Sequence, residues 1–260
     1  MVFLPVNFTK MEQNPVFSQD FEIQSHHIVR NFEASLQYLM GCMQHTAERH
    51  VDSMHIGWED LHAKGCFWAI YRMGIQVERM PRKYDTITVR TWANPPQRLI
   101  QPRSFEILDK DGNILLRAQS MWIILEEQTF KPLTIEDVAG CEDAMYRMGD
   151  SNGFSMNLKI GSVDTAGLSP ACTCTVLYSD IDTNHHVNNT NYVRWFIDSF
   201  PSDFLERHFL RAIVINYTQQ ARIEEQYSIY TKEISEENTL TVIVRGNDEL
   251  CKIKAEWLPK

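Results

Sequence analysis

The sequence predicts an α+β protein in which one plan is used twice, antiparallel strands curled around a single buried helix. Three observations lead there. Leu36, Leu39, Met40, Met43 and Ala47 recur at helical spacing ahead of several alternating strands. Val187, Tyr192, Val193, Trp195, Phe196, Ile197 and Phe200 cover nearly the whole circumference of a second helix, as a buried helix requires. The two halves also end alike, with Arg117-Ala-Gln-Ser-Met-Trp122 in the first and Lys252-Ile-Lys-Ala-Glu-Trp257 in the second. A period of about 130 residues is too long for a solenoid and implies two fused domains.

Taken in order, the chain begins with a short apolar stretch broken by Pro5. It lacks the basic region and the apolar run of a secretory signal. From about residue 18, FEIQSHHIVR reads as a strand and turn, and Asn31 and Ser35 are candidate caps for the first helix. A polar connection with Gly57 and Gly65 follows. Then CFWAIYRMGIQV reads as a buried strand, TITVRTW alternates as another, and RSFEILD and ILLRAQSMWIIL flank Asp111-Gly112, a strong hairpin signal. TIEDVAGCEDAMYRMGD, after Pro132, reads as a short acidic helix that opens a loop-rich connection. The second half repeats the order: CTVLYSDIDT as strand and turn, VNNTNYVRWFIDSF as helix, and AIVINYT, EQYSIYTKEI, TLTVIVRG and ELCKIKAEW as strands. The division expected is residues 1–135, a linker over 136–170, and 171–260.

Composition narrows the function. With 260 residues, 43 % hydrophobic, the chain can bury a substantial core, and its net charge of −9 argues against nucleic acid or an anionic membrane as main partner. No stretch approaches the roughly 20 uninterrupted apolar residues of a membrane span. Six cysteines without a CxxC pair read as reduced thiols of a cytoplasmic protein.

The chemistry is concentrated in residues 180–198, DIDTNHHVNNTNYVRWFID. If the entry to the helix is extended, Asp182, Asn184 and His186 share one face, just before backbone N–H groups that lack intrahelical partners. Such a site can hold a carbonyl and attack it with water. Adjacent His185 and His186 diverge and no third ligand is evident, so no metal or other cofactor is implied. No GxSxG elbow supports a serine nucleophile.

This motif, with Tyr192 and Trp195, resembles the DxNxHVNN…Y…W pattern of the acyl-carrier-protein (ACP) thioesterases, and the resemblance extends from about Phe21 to Trp257. It implies a tandem (double) hot dog fold, two antiparallel sheets each wrapped around a long buried helix, and hydrolysis of fatty acyl-ACP to free fatty acid. By resemblance, Asp182, Asn184 and His186 fall on the catalytic Asp, Asn and His. The Glu expected on a later strand is replaced by Gln220, and the Cys that often follows it by Ala221. An amide accepts no proton, so the base role passes to Asp182 or His186 and Gln220 keeps a positioning role. Backbone N–H groups from Val187 to Asn189 are the expected oxyanion donors. Met40, Met43 and Trp68 are expected to line the acyl pocket, and Arg194 to contact the substrate-bearing carrier. Arg79, Arg82, Lys83, Arg207, Arg211 and Arg222 are further candidates for that docking. A homodimer is compatible with this reading. The alternatives are an acyl-CoA thioesterase and a non-catalytic acyl-thioester-binding protein.

Overall fold

The computed structural model describes residues 15–139 and 152–260. The first half runs β1 (Phe17–Glu22), α1 (Leu36–Ser53), α2 (Trp58–His62), β2 (Cys66–Val77), β3 (Thr86–Ala93), β4 (Gln101–Leu108), β5 (Ile114–Glu126), β6 (Pro132–Leu133) and α3 (Ile135–Ala139). The second runs β7 (Cys172–Thr175), α4 (Asn189–Asp198), α5 (Ser202–Arg207), β8 (His208–Tyr217), β9 (Gln226–Ser235), β10 (Asn238–Arg245) and β11 (Asp248–Pro259). Much of the acidic segment after Pro132 lies outside the described residues; its start forms α3.

The strands form one antiparallel sheet in the order β1-β3-β4-β5-β2-β8-β11-β10-β9-β7, with β6 beside β5. Read inward from each end, the halves have the same order: β1-β3-β4-β5-β2 and β7-β9-β10-β11-β8. The matching segments at Arg117 and Lys252 occupy the equivalent strands β5 and β11. The sheets expected as two are joined edge to edge, since β2 pairs with β8 from Arg72↔Asn216 to Gln76↔Ala212. Each edge thereby satisfies backbone groups that an open strand would leave unpaired.

Both helices lie on one face of this sheet and meet there. Ser35 is the cap of α1, its Oγ accepting from the Tyr38 N–H at 3.2 Å. Leu36, Leu39, Met40 and Met43 enter a core that also holds Val193 and Phe196 of α4. The Gln37 amide donates to Asn191 Oδ1 across the two helices at 2.7 Å. Around α4, Trp195 stacks on Tyr227 at 4.0 Å and Phe196 on Trp257 at 6.0 Å. Burying each such ring contributes about 1.5–3 kcal/mol.

The opposite face at the β2–β8 seam is covered by the connection between halves. Phe154 and Leu158 pack on Val214 there. Asn216 fastens the segment, donating to Leu158 O at 2.7 Å and accepting from Ile160 N at 3.1 Å. Gly74 permits the approach: a Cβ on it would lie 2.4 Å from Leu158 and 2.6 Å from Phe154.

Candidate active site

The motif is a closed loop rather than the extended segment its alternation suggests. Ile181 and Val187 form an antiparallel bridge. Between them Asp182 N–H donates to His186 O at 2.8 Å, and His185 N–H to Asp182 O at 3.1 Å. His185 turns the chain at φ 61°, in the left-handed region. Asp182 Oδ1 accepts from the backbone N–H of Asn184 at 2.8 Å and of His186 at 3.4 Å. An aspartate whose side chain hydrogen-bonds the backbone two residues on is what makes such a turn, and it also fixes the carboxylate.

Asn188 caps α4, its Oδ1 accepting from the Thr190 N–H at 2.9 Å and hydroxyl at 2.8 Å. The loop is braced from behind by Asp180, which is 1 % exposed. Its carboxylate pairs with Arg194 and accepts from Leu177 N–H, and its carbonyl accepts from Asn188 N–H and from the Asn191 amide. Arg194, expected to contact substrate, is therefore turned to Asp180 and Asp198 and holds the loop to the helix.

A cleft of about 1060 Å³ opens at this loop. Asp182, Thr183, Asn184 and Asn188 form one wall, and from there it runs along α1 at Gln44, Ala47, Glu48 and Val51 to β3, β4 and β5. Its rim near α2 carries Asp52, Glu59 and Asp60. Of the three residues expected at the acyl pocket, Trp68 lines this cleft, whereas Met40 and Met43, 2 % and 1 % exposed, are sealed in the shared core and do not. They lie on the face of α1 that meets the sheet and α4.

Asn184 is reached from the other half of the molecule. Trp58 Nε1, on α2, donates to its Oδ1 at 3.4 Å, and the indole is stacked on His62 at 4.8 Å. With Oδ1 turned to Trp58, the Asn184 amide nitrogen is the group left to donate to a substrate carbonyl. Trp58 escapes a reading of the sequence because it sits in a polar connection; the exposed tryptophan beside Gly57 is its only signal.

His186 is half-buried and faces a different set of charges. Desolvation first, then Arg222, then His185 push its pKa below the usual 6.5, while Asp182 and Glu225 oppose them. Arg222 and Glu225 lie on the loop between β8 and β9. That loop is tied to the motif by Val187 N–H donating to Ala221 O at 2.9 Å, and by Ala221 N–H donating to Tyr192 Oη at 3.3 Å. Gln220 is exposed on the same loop, its carbonyl accepting from Arg245. Both Glu225 carboxylate oxygens accept from Arg245 Nη1, at 2.9 and 2.8 Å.

The expected oxyanion donors are largely committed elsewhere. Val187 N–H is bound to Ala221 O and Asn188 N–H to Asp180 O. Among the described residues, Asn189 N–H is the member of that trio without such a partner. The Asn189 carbonyl accepts from Tyr217 Oη at 3.2 Å, and its side-chain Oδ1 is buried without a partner.

Two family models match in tandem, the acyl-ACP thioesterase N-terminal domain over residues 14–139 and the acyl-ACP thioesterase C-terminal domain over 169–259. The chain belongs to the acyl-ACP thioesterase family. Among curated members it is 29 % identical to a chloroplastic palmitoyl-acyl carrier protein thioesterase of Gossypium hirsutum, over 100 % of this chain and 68 % of the relative. A chloroplastic acyl-[acyl-carrier-protein] hydrolase of Cuphea viscosissima is 28 % identical, over 94 % of this chain and 63 % of the relative. The chain thus spans 63–68 % of the length of these two family members. Among solved structures, an acyl-ACP thioesterase from Bacteroides thetaiotaomicron superposes with TM-score 0.87 at 24 % identity, covering 95 % of this chain and 100 % of its own. The 12:0-ACP thioesterase from Umbellularia californica superposes with TM-score 0.79 at 22 % identity, covering 95 % and 98 %. The fold is theirs, the tandem hot dog.

Proposed function

We propose that the chain hydrolyses the thioester of fatty acyl-ACP, releasing free fatty acid and so ending chain synthesis. One observation carries this reading: the cleft that has Asp182 and Asn184 in its wall continues into the N-terminal half, where an acyl chain can lie along α1.

In the proposed step, Asp182 accepts a proton from water as the water oxygen adds to the thioester carbon. The developing oxyanion is met by the Asn184 amide and the Asn189 N–H. The C–S bond then breaks, and the thiolate leaves with little need of a proton because thiols are comparatively acidic. A positioned base contributes about 10²–10⁴-fold in such chemistry, and one oxyanion donor about 2.7–4 kcal/mol. His186 supports Asp182 from the far side of the loop as a neutral imidazole, and Gln220 acts by position alone. Acidic ACP meets Glu48, Asp52, Glu59 and Asp60 unfavourably, so we place its approach on the side of Arg222, which has no carboxylate at ion-pair distance among the described residues. A cytoplasmic site of action completes the proposal; it rests on the reading of the cysteines as reduced thiols, and the five described are unbridged.

Thiol release from matched acyl-ACP and acyl-CoA tests the reading. Faster release from acyl-ACP is expected. Faster release from acyl-CoA transfers the activity to that carrier, and binding without thiol release would leave an acyl-binding protein, the outcome for which Gln220 in place of Glu provides the specific motive.

A further inference from the structure

The indole that orients Asn184 is itself loosely placed. Trp58 is 54 % exposed in the wall of the cleft, and its hydrogen bond from Nε1 to Asn184 Oδ1 is long at 3.4 Å. One such bond offsets little of the rotamer freedom that an exposed side chain gives up. A further constraint is built into α2. Trp58 and His62 are its first and last residues, spaced i, i+4 and therefore on one face, and their rings stack at 4.8 Å with 10° between the planes. Between them Leu61, 0 % exposed, packs with Ile56, Cys66, Ile124 and Ile135 and anchors the turn, while both rings stay accessible.

His62 is held in turn from the end of β5. Its Nδ1 lies 2.6 Å from Oε1 of Glu127, the residue that follows that strand. A carboxylate accepts and does not donate, so Nδ1 is the donor and the bond fixes the imidazole. The backbone repeats the tie, Glu127 N–H donating to Gly65 O at 2.9 Å just beyond α2. The first half thus supplies a continuous series of contacts, Glu127 to His62 to Trp58, that ends on Asn184 in the motif loop of the second.

We propose that His62 is a positioning residue for thioester hydrolysis: seated by Glu127, it holds the Trp58 indole where its N–H keeps the Asn184 side-chain amide in one orientation. An asparagine amide turned over exchanges its donor for its acceptor. In the orientation present, Nδ2 is the group left for the oxyanion; turned over, Oδ1 would meet that oxygen with like polarity. His62 is not among the residues that line the cleft, and it acts through Trp58. The inference rests on the acyl-thioester reading above and adds to it a group that sets the rate without touching substrate.

The test uses the full chain and two readouts. The first is a double-substitution cycle on thiol release from acyl-ACP. His62→Ala is expected to lower kcat several-fold with KM little changed, by no more than Trp58→Phe does, and to lower it no further when introduced into Trp58→Phe, where the N–H it acts through is already gone. Glu127→Ala frees the imidazole but leaves the stack, and a smaller loss in the same direction is expected. The second readout is the Asn184 side-chain amide signal in the NMR spectrum, identified by its absence from Asn184→Ala. It is expected to shift in both Trp58→Phe and His62→Ala. An unchanged kcat in His62→Ala, or equal fractional losses with and without the Trp58 N–H, overturns the proposal. So does an Asn184 signal that moves in Trp58→Phe but not in His62→Ala. Shifts in both variants of a chain that releases no thiol support the positioning of Asn184 and contradict the thioesterase reading.

Discussion

The two halves share a strand order but treat their helices differently. In the second half α4 is only ten residues long and is encased by rings, Trp195 on Tyr227 and Phe196 beside Phe200 and Trp257. Its N-terminus carries the loop from Asp182 to Asn188. In the first half α1 is eighteen residues long. Its Leu36, Leu39, Met40 and Met43 are sealed in the core, while Gln44, Ala47, Glu48 and Val51 open on the cleft. The two copies of one strand order thus differ at their helices: α1 leaves part of its surface on a cleft, and α4 is packed among rings. The Trp58–Asn184 hydrogen bond joins α2 of the first half to the motif loop of the second.

The comparison breaks most sharply at the motif. Asp182→Ala is expected to lower kcat by about 10²–10⁴-fold, with His186→Ala also severe and Gln220→Ala clearly milder. Steady-state thiol release measures all three, and equal losses would contradict the division of roles.

Two histidines separate the halves, one through stability and the other through rate. His50, in the first half, has a folded pKa of about 4 against the ordinary 6.5, so the unfolded chain takes up its proton first on acidification. The stabilisation is present above pH 6.5 and is lost as pH falls toward 4, by on the order of 3 kcal/mol. Denaturation midpoints across that window should slope steeply in the parent and flatten in His50→Asn. His186, in the second half, is expected to govern rate instead. Its pKa lies below 6.5, so the neutral ring persists into mildly acidic solution and activity falls only as pH drops through that lowered value. Arg222→Ala removes a charge that depresses this pKa and should move the acidic limb of kcat/KM to higher pH; Asp182→Asn would move it lower, if its residual rate permits measurement.

The smallest effect is expected at the junction of the halves. Trp58→Phe keeps the ring and removes the N–H that orients Asn184. A several-fold fall in kcat with little change in KM is expected, since the bond at 3.4 Å is long.

Much of this was legible in the residues. Alternation in TITVRTW and the Asp111-Gly112 turn mark strands and hairpin because one face of each strand is buried. The all-round apolar helix marks α4 because only a buried helix tolerates it. The short α2 and α5 were not legible, since five or six polar-rich residues set no helical period. The edge-to-edge joining of β2 and β8 was equally hidden, because both read simply as buried strands. In the motif, the pattern singles out Asp182, Asn184 and His186 as candidates, but the loop they form depends on the left-handed His185 and on backbone bonds to Asp182, which alternation does not encode.

The central claim, that the second half reacts with a chain held by the first, is tested most directly by narrowing the cleft where α1 lines it. Val51 of α1 lines the cleft and is only half-buried, so Val51→Trp fills space without opening the core. The measurement is the acyl-length profile of thiol release from a series of acyl-ACPs. The account predicts that the preferred length shortens in Val51→Trp. An unchanged profile would contradict it, placing the acyl chain somewhere other than along α1.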